Sequence, residues 1–323
     1  MTNMIQAPLL SVIITACTMD RFADICSLLD SIKSQTYHDI EVMFIAEGYE
    51  ELYQKVKAYE EKLDLKEFKA IYKKEKLGLG GARNLGSKMV KGEIIAFVDD
   101  DVVLFSDWAE EMVKSYQDQM VIGVTGAAFP LWRDKKLDWL PEEFYWLISC
   151  TAYTHWNSVV EARSLWGGNM SFRKEVFEKT GSFLPTLGYH APIAEDLEFS
   201  LRVKKITGKK LIYNPAVKVR HSVYAYRINL KYVAARAHHI GVSRHLLRTT
   251  YLKNTATFDL EKKVMSGIVN ILLSTPRLLI INPGVAWNKL LITCTIILYA
   301  GIGYVFPGKN SQAIHEIEKA SIA

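Results

Sequence analysis

The sequence predicts an α/β fold, doubly wound around a mostly parallel sheet. Three observations carry that expectation. Short apolar runs alternate with amphipathic runs of helical period from residue 9 to beyond residue 200. One such run, Ile94-Ile95-Ala96-Phe97-Val98, stops abruptly at Asp99-Asp100-Asp101. A continuous apolar run suits a buried parallel strand, so its charges emerge at the carboxyl edge, where open α/β sheets bind ligands. Third, 323 residues that are 49% hydrophobic and 23% charged suffice for one large domain, or a domain with an appendage, around a real core.

The elements follow in order. Residues 9–16 (LLSVIITA) read as a buried strand, and Asp20 as the cap of a helix to about residue 34, with Ile25, Leu28, Leu29 and Ile32 on one face. A strand over 41–46 ends at Glu47-Gly48, and an amphipathic helix spans about 50–63. A short strand at 68–72 leads into the turn Gly78-Leu79-Gly80-Gly81, then a helix through Lys91. The strand ending in the three aspartates precedes a helix near 107–117 and a strand over 121–129. An aromatic-dense stretch follows, with Trp132, Trp139, Phe144, Tyr145 and Trp146 broken by Pro130 and Pro141. Such a stretch is core, the wall of a sugar site, or a lip at a wet–apolar boundary. Trp166-Gly167-Gly168-Asn169-Met170-Ser171-Phe172-Arg173 reads as a strand entered through glycines that let a ligand approach the backbone. In Ile193-Ala194-Glu195-Asp196-Leu197-Glu198 the two acids fall in the first turn of a helix whose apolar face carries Leu197, Leu201 and Ile206. A short strand and turn over 210–215 and a strand over 217–219 lead to His221.

Several chemistries are excluded. Arg83 stands where a dinucleotide fingerprint requires its third glycine, and Gly86-Ser87-Lys88 reverses the order of a phosphate-loop Lys and Ser. What survives is a helix N-terminus carrying Arg83 and Asn84, either an anion- or base-contacting site or an ordinary helix start. Cys17, Cys26, Cys150 and Cys294 are scattered, which argues against zinc and disulfides and for a reducing compartment. The N-terminal apolar run lacks the flanks of a signal peptide. The net charge is +5 but unevenly placed, with basic residues crowding 202–253. The three aspartates are either a solvated acidic turn or a site for Mg²⁺ or Mn²⁺ on substrate phosphates.

Taken in order, Thr15-Ala16-Cys17, Glu47-Gly48, Gly80-Gly81-Ala82-Arg83-Asn84, Phe97-Val98-Asp99-Asp100-Asp101, Gly168-Asn169-Met170-Ser171-Phe172-Arg173, Glu195-Asp196 and His221 resemble a family 2 glycosyltransferase of GT-A fold over residues 9–225. The resemblance implies an inverting transferase using a nucleotide diphosphate sugar. It implies that Asp99 and Asp101 form the family's D-x-D pair, the first toward the donor's ribose and both at the divalent metal, with Asp100 between them on the donor side. Thr15, Cys17, Glu47 and Arg83 then match base- or phosphate-contacting positions, with Asn169 as a further donor contact. Asp196 matches the catalytic base, Glu195 its neighbour, and His221 a further metal ligand. Glu47 departs from the more usual Asp, and Cys17 replaces a common Tyr.

Beyond His221 the character changes. Residues 226–260 read as a basic helical extension, with a helix over 229–247 that closes over a pyrophosphate, lies on an anionic surface, or is simply solvated. Residues 261–323 read as an apolar membrane-associated segment. In it, 264–275 is apolar, Pro276-Arg277 interrupts, and an uncharged run at 290–306 of about 17 residues is at the short limit of a transmembrane helix. The stretch from Leu140 to Leu147, with the layout around it, is similar to archaeal glycosyltransferases that extend dolichyl-phosphate-linked glycans for N-glycosylation. That resemblance implies a lipid-linked acceptor, a hexose or hexuronic acid as the group moved, and no nucleic acid partner. It also implies a membrane location with the catalytic domain on the cytoplasmic side. The alternatives are a transferase of capsule or exopolysaccharide assembly on another lipid carrier, and a nucleotide-sugar-binding protein without catalysis. A processive synthase is disfavoured, since no Gln-x-x-Arg-Trp follows the acidic helix.

Overall fold

The computed structural model describes residues 7–134, 140–152, 156–185, 187, 195–227, 229–250 and 259–308. The first half alternates β1 (Leu10–Ala16), α1 (Phe22–Lys33), β2 (Ile40–Glu47), α2 (Glu50–Leu63), β3 (Phe68–Lys73), α3 (Gly78–Met89) and β4 (Ile94–Asp99). Then come β5 (Val102–Leu104), α4 (Trp108–Lys114), β6 (Val121–Trp132), β7 (Val160–Ala162), β8 (Asn169–Arg173), α5 (Glu175–Thr180), α6 (Glu195–Thr207) and β9 (Lys210–Val223). One mixed sheet runs β3-β2-β1-β4-β8-β6-β9-β5, with β7 beside β9. The strands β3, β2, β1 and β4 are mutually parallel, and β8 enters antiparallel between β4 and β6. This reversal brings the start of β8 beside the carboxyl end of β4, where Val98 pairs with Asn169.

Alternation along the strands divides the core. Val12 and Ile14 of β1 face α1, α2 and α4, whereas Ile13 packs with Phe97, Phe172 and Phe199 beneath α3, α5 and α6. Each such side chain is fully buried and contributes about 1.5–3 kcal/mol relative to exposure. Strands β6 and β9 are in close backbone contact at Gly126, where a bulge shifts the register and an added Cβ would collide with the Val217 carbonyl. Gly126→Ala is therefore expected to destabilise the fold by about 1–3 kcal/mol, seen as a lower urea midpoint at unchanged slope.

Several sequence expectations are corrected. Asp20 does not cap α1: the N-cap is Arg21, with no side-chain cap, and Asp20 instead hydrogen-bonds Thr18. Helix α3 begins at Gly78, so the glycines form its first turn instead of a loop before it. Residues 210–219 belong to one bulged strand, because the β6 ladder continues across Asn214-Pro215 with a register shift. On α6 the inward side chains are Phe199, Leu201 and Val203, while Ile206 is exposed. Strands β5 and β7, three residues each, carried no readable pattern.

The C-terminal part is helical: α7 (Leu230–Thr250), α8 (Asp259–Ile281) and α9 (Pro283–Val305). Helix α8 continues through Pro276, where Ser274 and Thr275 hydroxyls donate to the Ile271 carbonyl in the turn that proline loosens. Helix α9 starts well before residue 290, capped by the Asn282 side chain accepting from the Val285 N–H. Among the described residues it is the helix long and apolar enough to cross a membrane by length and composition. The aromatic-dense stretch becomes a 3-10 turn, Glu142–Ile148, whose buried Phe144 and Tyr145 join Val223 of β9 to Val233, Ala237, Ile292 and Ile296. Trp139 lies outside the described residues.

Candidate active site

The carboxyl ends of β1 and β4 and the beginning of β8 converge on the three aspartates. Thr15, half-buried at the end of β1, sits opposite Asp99 in the ladder. Asp99 is partly exposed, whereas Asp101 is 1% exposed and His221 of β9 is 1% exposed. One ligand atom from each of Asp99, Asp101 and His221 lies within 4.8 Å of the others. The pairing of β5 with β9 sets Val102 across from His221, and the Ser222 N–H donates to the Asp101 carbonyl at 2.9 Å. His221 Nε2 stands 3.3 Å from Asp101 Oδ1, an oxygen with no hydrogen-bond partner, and His221 Nδ1 has none either.

The chemistry of this donor set fits a divalent cation. Two carboxylates and an imidazole, with orphaned buried atoms among them, are a costly arrangement until a cation binds. Around it stand two guanidiniums that the sequence reading missed. Arg21 Nη1 lies 2.6 Å from Asp100 Oδ1 and 3.3 Å from Asp101 Oδ2, and Arg227 Nη2 lies 3.3 Å from the same Asp101 oxygen. Burial would raise the Asp101 carboxyl, but His221, Arg21 and Arg227 outweigh it and hold it at about 2, so it is ionised at any working pH. Burial dominates at Asp100 and pushes it up to about 7 despite Arg21. Both arginines lie at the sheet's carboxyl edge, Arg21 in the loop after β1 and Arg227 in the 3-10 turn after β9, and that placement is the signal that could have found them.

Behind this group lies a second one. Asp24 of α1, buried, accepts from Arg133, from the Tyr224 hydroxyl and from Ser222 Oγ, which ties α1 to the strand that carries His221.

Arg83 links the aspartates to the acidic helix. It is 3% exposed, donates through Nη1 to Glu195 Oε1 at 2.7 Å, and through Nη2 to the Gly167 carbonyl at 2.9 Å and toward Asp99 Oδ1 at 3.3 Å. Its guanidinium also faces the Phe97 and Phe183 rings. Burial lifts Glu195 to about 7, against the pull of Arg83. Asp196 is held differently: Oδ2 accepts from the Gly167 N–H at 2.8 Å and Oδ1 from the Leu197 N–H at 2.7 Å. Burial raises its carboxyl above the ordinary aspartate range, although Arg83 and those two N–H groups oppose it.

The glycines between the two carboxylate groups are required by space. A Cβ on Gly168 would lie 2.5 Å from Trp166 and 2.7 Å from Asp99 Oδ2, and one on Gly167 would lie 3.0 Å from Asp196 Oδ2. Gly168→Ala is expected to displace Asp99 or Trp166 and lower catalytic efficiency by about 100-fold for a shift of roughly 1 Å, measured as kcat/KM with the melting temperature followed alongside.

Four residues expected on the donor side, Asn169, Glu47, Arg83 and Cys17, have the following surroundings. Asn169 is fully buried, its Oδ1 accepting from Trp108 Nε1 at 2.8 Å and its Nδ2 donating to the Val217 carbonyl at 3.1 Å, so its amide is occupied inside the sheet. Glu47 is buried, with Oε2 accepting from the Leu77 and Gly78 N–H groups. It thus caps α3, and the expected free helix N-terminus has its first amides taken. Arg83 and Asn84 lie in the second turn, where Asn84 exchanges hydrogen bonds with the Phe183 backbone. Cys17 is exposed at the end of β1, and partial burial with Asp100 and Glu47 nearby raises its thiol.

A mixed sheet of this order is of GT-A type, and the chain belongs to glycosyl transferase family 2, whose profile matches residues 11–181. Over 301 residues it is 26% identical to the glucosyl-dolichyl phosphate glucuronosyltransferase of Haloferax volcanii, covering 92% of this chain and 95% of that protein. In fold it is similar to the mannosyltransferase PcManGT from Pyrobaculum calidifontis, solved with GDP-Man and Mn²⁺, at TM-score 0.64 and 16% identity over 94% of this chain and 89% of that one. It is also similar to GalNAc-T7 solved with UDP, GalNAc and Mn²⁺, at TM-score 0.53 and 15% identity over 80% and 55% of the two chains.

Proposed function

We propose that the protein is an inverting, metal-dependent glycosyltransferase acting at the membrane. It moves a hexose or hexuronic acid from a nucleotide diphosphate sugar to a glycan on dolichyl or polyprenyl phosphate, in protein N-glycosylation. The observation that carries this reading is the separation of two carboxylate groups by Gly167-Gly168, a cation-fitting set on one side and a backbone-held Asp196 on the other. The acceptor class is supported by the Haloferax relative, which is named for a dolichyl phosphate substrate. Residues 1–225 form the transferase, 226–260 the basic extension and 261–323 the membrane-associated part, with the transferase on the cytoplasmic side.

Asp99, Asp101 and His221 would hold Mg²⁺ or Mn²⁺, and the imidazole nitrogen favours Mn²⁺. The ion supplies Lewis-acid stabilisation of the departing nucleoside diphosphate. Thr15, Cys17, Glu47, Arg83 and Asp100 line the donor side, whereas Asn169 supports it from within. Asp196, fixed by two N–H groups, takes the proton of the acceptor hydroxyl as that oxygen attacks the anomeric carbon. Attack opposite to the leaving group inverts the centre. Arg83 keeps Glu195 and Asp99 at fixed positions and so holds the two groups in register.

Because a base works deprotonated and burial raises Asp196, activity is lost on acidification at a higher pH than an ordinary aspartate would give. The acid limb of kcat/KM against pH is expected above the usual carboxylate range of about 4. Incubation with a panel of labelled nucleotide sugars, Mn²⁺ or Mg²⁺ and polyprenyl-phosphate-linked acceptors should move label into the lipid phase. No transfer and no donor hydrolysis across the panel would overturn the enzyme reading.

A further inference from the structure

Resting on the membrane-bound acceptor proposed above, we infer that α8 and α9 dock on one leaflet of an anionic bilayer and lie in its plane, so that α9 does not cross it. Helix α9 is two-faced although nearly all its residues are apolar. Ala286, Ile292, Ile296 and Gly303 are buried against the protein, while Trp287 is 66% exposed, Leu298 59% and Phe306 71%. On α8, Ile268, Ile271 and Thr275 point inward, while Leu273 is 74% and Ile280 86% exposed. An apolar stripe of this extent on a water-soluble surface marks a membrane or protein contact.

The inner face of α9 belongs to α7. A Cβ on Gly241 would collide with the Ala300 carbonyl, and one on Gly303 with the His238 carbonyl, so the two backbones are in close contact. Further along, the His245 ring meets Tyr304 and Arg248 Nη1 donates to the Tyr304 hydroxyl at 2.7 Å. Val233 and Ala237 of α7 share one apolar cluster with Ile292 and Ile296. Helix α7 carries exposed Lys231, Arg236, His239 and Arg248. A crossing α9 would draw these charges into hydrocarbon or tear away a buried interface, and both are costly. Lying in plane, α9 keeps α7 in water and turns only its open face to lipid.

Charge selects the leaflet. From residue 264 to 305 the chain has no Asp or Glu, and its charges are Arg277 and Lys289. These sit beside the apolar stripe as anionic headgroups require. The inner face of this helical layer lies close to the active site. Val223, in the cluster with α7, α8 and α9, lies two residues along β9 from His221, about 7 Å of extended chain. Docking this layer on a leaflet would therefore bring the site close to the membrane surface, where a lipid-linked phosphate is held.

The test uses the full chain with cleavable tags added before Met1 and after Ala323. In inverted membrane vesicles from expressing cells, external protease is expected to remove both tags. Protection of one tag until detergent is added means that α9 crosses, and overturns the proposal. Purified protein should float with phosphatidylcholine–phosphatidylglycerol vesicles and less with phosphatidylcholine alone; no flotation overturns it. Leu273→Glu with Ile280→Glu, both at exposed positions, should cut the floated fraction roughly tenfold or more while transfer to a short-chain soluble acceptor persists. If that variant instead turns a dimer into a monomer and floats as before, the face belongs to a second copy and the proposal falls. Loss of transfer with flotation intact counts against the proposed function alone.

Discussion

Asp196→Asn is expected to bind donor and Mn²⁺ as the wild type does and to transfer sugar about 10²–10⁴-fold more slowly, the contribution of a positioned general base. The geometry makes the experiment interpretable. Both Asp196 oxygens accept backbone N–H groups, from Gly167 and Leu197. An amide keeps one of these bonds and sets its NH₂ against the other N–H, which costs about 1–3 kcal/mol at most. Thermal melting and donor affinity separate that structural cost from the loss of the base. A fall in kcat at unchanged donor affinity assigns the proton transfer to Asp196; an unchanged kcat removes it from that role.

Asp101→Asn is expected to weaken Mn²⁺ binding by at least about 100-fold, and donor binding with it. Asp101 is the buried carboxylate of the cation-fitting set and the shared counter-charge of Arg21 and Arg227, with His221 Nε2 3.3 Å away. Replacing it by Ala would leave Arg227 and His221 facing one another without that carboxylate, and Arg21 with Asp100 alone, a loss of about 3–5 kcal/mol typical of breaking a buried pair. The isosteric Asn keeps the shape, so calorimetric Mn²⁺ titration reports the metal site and not unfolding. Unaltered Mn²⁺ affinity would mean that Asp99 and Asp100 carry the metal instead.

Much of this was legible in the sequence because its signals are local. The apolar run before Asp99 had to be a buried strand, and the strand–helix alternation before it had to give a parallel half-sheet. The acidic pair Glu195-Asp196 announced a helix N-terminus by charge alone. Other features were illegible because they depend on contacts distant in sequence. Nothing local marks Arg21 or Arg227, 206 positions apart, as sharing one carboxylate. Asn169 looked like a ligand since its amide offers donor and acceptor, yet Trp108 and the Val217 carbonyl occupy both. Glu47 was read as a base contact, and its bond to the α3 amides 30 residues later could not be read locally. On α6, Leu201 alone of the three expected apolar positions is buried, because Phe199 and Val203 meet the aromatic cluster around Phe172 and Phe183. At the C-terminus, periodicity could not distinguish a spanning helix from one packed along a basic neighbour, since both are apolar all round.

The metal-and-donor centre proposed at the end of β4 is tested most directly by anomalous diffraction from crystals soaked with Mn²⁺ and a nucleoside diphosphate. The expected result is one strong peak within bonding distance of Asp101, with Asp99 and His221 around it and a diphosphate oxygen on its open side. A peak elsewhere, or a nucleotide bound without any cation at these three residues, would contradict it.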